Sequence, residues 1–76
     1  MNNARRKAIS SVIDKLRDLQ EAVDAIRDEE TEYRDNIPEN LQTSEKYEIA
    51  EQTIENLGSA YDYIDEIVDF LEDAKA

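Results

Sequence analysis

Ile9, Val12, Leu16, Leu19, Val23, Ile26, Glu30, Tyr33 and Ile37 follow one another at alternating steps of three and four residues. Only Glu30 among them is polar. Such a repeat returns each side chain to one side of an α-helix, so the run predicts a long helix with a single apolar stripe. With Ile9 as heptad position a, the stripe occupies a and d. Ile13 widens it on one side, and Ala8, Ala22 and Ala25 flank it on the other.

A second run obeys the same rule: Tyr47, Ala50, Ile54, Leu57, Tyr61, Ile64, Val68 and Leu71, with Tyr47 at a. Between the two runs lies Asn36–Glu48, NIPENLQTSEKYE, which holds the only proline, Pro38. Proline biases the residue before it away from helical geometry, and Asn36 tolerates the left-handed conformation that ends helices. Pro38 to Gln42 then fits one tight turn with proline at its start. Ile37 and Leu41 are expected to tuck into the open end of the hairpin. Asn2 or Asn3 is expected to cap the first helix and Ser44 the second. Glu45 and Glu48 stand in the second helix's first turn, where carboxylates favour the positive end of the dipole.

The expected fold is therefore all-α, an antiparallel two-helix hairpin of coiled-coil type in one domain spanning 1–76. Its first helix runs over about 3–35, a connector over about 36–43, and the second helix over about 44–74.

Antiparallel pairing matches a with d. It sets Tyr33 with Tyr47, Ile26 with Ile54, Val23 with Leu57, Leu19 with Tyr61, Leu16 with Ile64, Val12 with Val68 and Ile9 with Leu71. On one edge this register expects Arg27 beside Glu51 and Arg6 beside Glu72. On the other it expects Ala22 beside Ala60 and Ala8 beside Ala74. A register shifted by seven also fits, but it leaves Ile9 without a seam partner.

The second helix carries more apolar surface than one partner covers. Ala60, Tyr63, Ile67, Phe70 and Ala74 form a further seam at steps of three and four. The two seams together span about 160° of the helix. The alternatives for this strip are more core, filled by a loop, or an oligomer interface; no connector is long enough to cover it. The expectation is a homo-oligomer, with Ala60, Tyr63, Ile67, Phe70 and Ala74 at the contact, completing a helical bundle. Gly58 lies inside this helix, either as a tolerated glycine or as the point of a kink or close approach.

Charge narrows the partners. Nine bases stand against twenty acids, a net of −11. Such a chain repels nucleic acid and anionic lipid, so neither direct nucleic-acid binding nor a membrane partner is expected, and a macromolecular partner is expected to be basic. With no Cys and no His, thiolate or imidazole metal sites and histidine chemistry are excluded, and no cofactor or metal is expected. No apolar stretch has the length of a membrane helix, and no signal peptide is evident, so a cytoplasmic setting is expected. The hydroxyl residues have no candidate base beside them, and carboxylates alone need a pocket that a two-helix rod does not supply, so no catalytic residue is assigned.

Two charged groups remain. Asp62, Asp65, Glu66, Asp69 and Asp73 lie on the outer face of the second helix, continued by Glu48, Glu51, Glu55 and Glu72. They form either a solvated face or a DNA-like row that enters the basic groove of a nucleic-acid-handling protein. Arg5, Arg6 and Lys7 either neutralise the acidic C-terminal end or, with the first-turn amides, hold an anion such as a nucleotide phosphate.

The stretch DEETEYRDNIPENLQTSEKYEIAE, residues 28–51, resembles a DEE-x-EY-x-DN-x-PENLQ-x-SE-x-YE-x-AE pattern of small acidic helical proteins from phages and mobile elements of Gram-positive bacteria. The resemblance covers the central third closely, the C-terminal helix loosely, and the basic N-terminus not at all. It implies a phage-like setting in which small acidic proteins inhibit or sequester host factors, including defence proteins; it assigns no residue a role. The sequence thus points to an acidic inhibitor of a basic partner. Its rivals are an oligomeric sponge for an anionic nucleotide and a structural or assembly protein.

Overall fold

The computed structural model describes residues 1–76. Helix α1 spans Asn3–Asp35, a single 3₁₀ turn spans Glu39–Leu41, and helix α2 spans Glu45–Lys75. The helices pack antiparallel into a rod 60 Å long and 15 by 12 Å across. No helix is long and apolar enough to cross a membrane.

The ends form where the sequence placed them. The Asn2 side chain accepts from the Arg5 amide at 2.8 Å, and Ser44 Oγ accepts from the Tyr47 amide at 3.4 Å. Each supplies an acceptor to a first-turn N–H that has no partner within its helix. Pro38 precedes the 3₁₀ turn, which the Leu41 amide closes onto the Pro38 carbonyl at 2.8 Å. One local expectation fails. Asn36 ends α1 at φ −87°, ψ −4°, not in the left-handed region, and no residue of the chain has a positive φ. Its amide bonds back to the Glu32 carbonyl at 3.0 Å and the Ile37 amide to Arg34 at 3.1 Å, so the final turn tightens without a reversal.

In α2 the expected seam faces inward, with Ala50 and Val68 buried and Tyr47, Ile54, Leu57, Tyr61, Ile64 and Leu71 half-buried. In α1 it does not. The inward line runs through Ile9, Ile13, Leu16, Gln20, Val23, Arg27, Glu30 and Arg34, positions a and e. The d residues Val12, Leu19, Ile26 and Tyr33 are exposed, so their expected pairing with Val68, Tyr61, Ile54 and Tyr47 is not the core of this hairpin.

Polar contacts along position e hold α1 in this roll. Gln20, only 4 % exposed, donates to the Tyr61 carbonyl at 3.1 Å and to Asp65 at 2.9 Å. Arg17 donates to Asp65 at 2.6 Å and to the Gln20 side-chain oxygen at 2.8 Å. Arg27 pairs with Asp24 and lies over the Tyr61 ring, 5.3 Å from its centre. A cation there meets the negative face of the ring. No buried side-chain polar atom is left without a partner.

The edge pair at Glu51 differs from expectation by one heptad. Glu51 meets Arg34 at 3.9 Å, while Arg27 goes to Asp24 and Tyr61. Side chains lean toward the N-terminus of their own helix, so in an antiparallel pair touching residues lie farther along each chain than residues at one level. Glu72 pairs instead within its own helix, with Lys75 at 3.3 Å, and Arg6 donates to the Lys75 carbonyl at 3.1 Å. Gly58 does not interrupt α2, which runs unbroken through it; a Cβ there would meet only the Arg27 guanidinium at 3.5 Å, ordinary contact.

Candidate functional site

Three surfaces carry the residues singled out by sequence; the acidic row and the apolar strip of α2 adjoin, Phe70 lining a groove with Glu66, Asp69 and Asp73 and Tyr63 one with Asp62 and Glu66, while the basic residues stand at the termini.

The acidic surface lies on the outer side of α2. Asp62, Glu66, Asp69 and Asp73 are exposed and pair with no cation of the chain. Their steps of four, three and four keep them in one row along the helix. Asp65 stands apart from them. It is turned toward α1, where hydrogen bonds from Gln20, then Arg17, hold its carboxyl below the ordinary value of 3.8. Those bonds favour the ionised form. Near the bend, hydrogen bonding to Glu51 and then desolvation raise the Tyr47 phenol above its ordinary 10.0. Glu51 is paired with Arg34 at 3.9 Å, whereas Glu48 and Glu55 are open.

The basic surface lies at the termini, and its three members do different things. Arg6 is spent inside the fold, its guanidinium on the Lys75 carbonyl and, at 3.2 Å, on Asn3. This places a cation against the negative end of the α2 dipole. Arg5 and Lys7 are exposed and their side chains have no partner in the chain. The first-turn amide of Arg5 is already taken by Asn2.

The apolar surface is larger than the sequence pattern showed. In α2, Phe70 is 76 % and Tyr63 64 % exposed, with Ile67, Ile49, Ala60 and Ala74 also open. The roll of α1 turns Val12, Leu19, Ile26 and Tyr33 outward as well. In an antiparallel pair the side of α1 at d and g and the side of α2 at g and c share one face, and here Tyr33 and Ile49 line one shallow groove with Glu30, Lys46 and Ala50. The α1 stripe was overlooked as surface because its period matches a core seam. The polar line at e opposite Glu51, Gly58 and Asp65 was the available signal.

No group of three or more carboxylates is placed to hold a metal ion. The grooves along the rod are shallow and open. No protein-family model, no curated protein and no solved structure matches the chain.

Proposed function

We propose that this chain is a non-enzymatic interaction module that works as a homo-oligomer and occupies a basic, nucleic-acid-handling surface of another protein. The observation that carries the reading is the row Asp62, Glu66, Asp69 and Asp73, exposed and without an internal cation. At 1.5 Å per residue these four charges recur about every 5.5 Å, a sparser row than the ~3.4 Å per phosphate of one DNA strand but of the same order. A rigid helix holds them in line. A groove of Lys and Arg shaped for phosphates meets in this row a similar charge, and the association falls as salt rises. The resemblance of residues 28–51 to small acidic proteins of Gram-positive phages and mobile elements supports a host-cytoplasm setting and a defence protein as partner.

The test uses the protein as bait in nuclease-treated host lysate at low salt, beside an Asp62→Lys/Asp69→Lys variant. The expected result is a basic protein bound by the wild type only, released by salt and displaced by duplex DNA. Equal capture by the charge-reversed variant, or capture indifferent to salt, contradicts the reading.

A second reading draws on Arg5 and Lys7, which no group of the chain neutralises: capture of an anionic nucleotide at the basic end. It predicts a melting-temperature rise with nucleotide that disappears in Arg5→Ala/Lys7→Ala. A purely structural or assembly role predicts neither effect.

A further inference from the structure

We infer that two hairpins stack face to face with their rods antiparallel, α1 on α1 and α2 on α2, about a two-fold axis that crosses the rod at Ala22 and Ala60. This inference rests on the homo-oligomer reading above and gives it a geometry.

The demand for a second copy comes from the hairpin itself. Only Ile13, Ala50 and Val68 are buried apolar residues. The chain exposes 5743 Å², whereas a compact monomer of 8.8 kDa exposes about 4800 Å². A core this small leaves a domain marginal unless it is stapled or oligomeric. Val12, Leu19, Ile26 and Tyr33 on α1, with Ile49, Tyr63, Ile67 and Phe70 on α2, leave on the order of 800 Å² open, the share each partner brings to a standard interface.

Its geometry follows from where the stripes are centred. Val12, Leu19, Ile26 and Tyr33 are symmetric about the step from Ala22 to Val23. Ile49, Tyr63, Ile67 and Phe70 surround Ala60. Arg17 bonds Asp65 and Gln20 reaches Tyr61, which sets Ala22 and Ala60 within a helical turn of each other along the rod. A two-fold axis there meets small side chains on both helices, so the backbones approach closely. Val12 then faces Tyr33 of the second copy, Leu19 faces Ile26, and Phe70 faces Ile49.

Charge selects this stacking over the parallel one. Residues 21–59, the half around the bend, hold twelve acids and three bases, net −9; the half at the termini holds eight acids and six bases, net −2. Parallel rods would stack the two −9 halves on each other. Antiparallel rods place each −9 half on a −2 half. They also set Lys15, exposed and unpaired in the hairpin, opposite Glu29 of the second copy. An isologous contact of this kind repeats the pair on both sides of the axis.

The experiment combines mass with direction. Sedimentation equilibrium should give two chains for the wild type. Leu19→Asp and Ala60→Arg, both at exposed positions, should give one chain; if either variant loses helicity, the other is read. Lys15→Glu and Glu29→Lys should each weaken the dimer several-fold and the double swap should restore it. A spin label on Asn40→Cys, the only thiol, should report bends about 60 Å apart, the length of the rod. Label separation on the order of 10 Å, the spacing of packed helices, would overturn the antiparallel geometry while leaving the oligomer reading intact. A wild-type monomer at micromolar concentration would overturn both.

Discussion

The side-chain amide of Gln20 on α1 donates to the backbone carbonyl of Tyr61 on α2 at 3.1 Å, across the centre of the hairpin. The same nitrogen donates to Asp65 at 2.9 Å, and the amide oxygen accepts from Arg17 at 2.8 Å. A polar residue only 4 % exposed is tolerated because each of its side-chain groups is satisfied. Its position at e, rather than d, fixes which face α1 presents to α2.

Gln20→Ala should therefore cost about 1–3 kcal/mol, the range for breaking a buried hydrogen-bonded group. Urea unfolding by circular dichroism measures it. Ser11→Ala, at an exposed site on the same helix, should change stability by less than about 0.5 kcal/mol.

Asp65 gives the hairpin an acid limb. Its carboxyl titrates below 3.8 in the folded chain because Gln20 and Arg17 bond the ionised form. As pH falls, the unfolded carboxyl takes up a proton first. The stabilisation is full above the ordinary value and is lost as pH drops through the depressed one. Asp65→Asn should melt below wild type at pH 7, and the gap should close as pH falls below about 4. A gap unchanged between these pH values would contradict the contact.

Gly58→Ala should raise stability by about 0.5–1 kcal/mol, because glycine inside a helix carries extra unfolded-state entropy. Its φ is not positive, and the added methyl meets the Arg27 guanidinium only at ordinary contact distance. Thermal melting reads the change. A destabilised variant would mean that α2 needs glycine there for close approach.

The edge register is separable from the fold. A double-mutant cycle on Arg34 and Glu51 should show a coupling of about 0.2–1 kcal/mol, the range of exposed ion pairs, and one on Arg27 and Glu51 should show none. Reversed results would restore the register expected from sequence alone.

These residues also mark how far the sequence could be read. The hairpin, both caps and the 3₁₀ turn followed from apolar spacing, Asn2, Ser44 and Pro38, because each acts over a few residues. The roll of α1 did not. Positions d and e flank a on opposite sides, and apolar spacing favoured d. What drew e inward were contacts made across the hairpin, Gln20 with Tyr61 and Asp65, and Arg27 with Tyr61. A hydropathy period is blind to such partners. The same blindness hid half of the apolar face: Leu19 and Ile26 looked like core and stand on the surface. Asp65, grouped by spacing with the acidic row, is bound to α1 for the same reason, whereas Asp62, Glu66, Asp69 and Asp73 lie where the helical wheel puts them.

Native mass spectrometry of the protein, purified gently from host lysate, tests the central claim most directly, that the face turned outward by this roll is closed by a second copy and that the assembly acts by binding protein. The account predicts two chains and no added mass. Single chains would contradict the stacked face, and two chains carrying a stoichiometric mass of nucleotide size would replace the protein-binding reading with nucleotide capture.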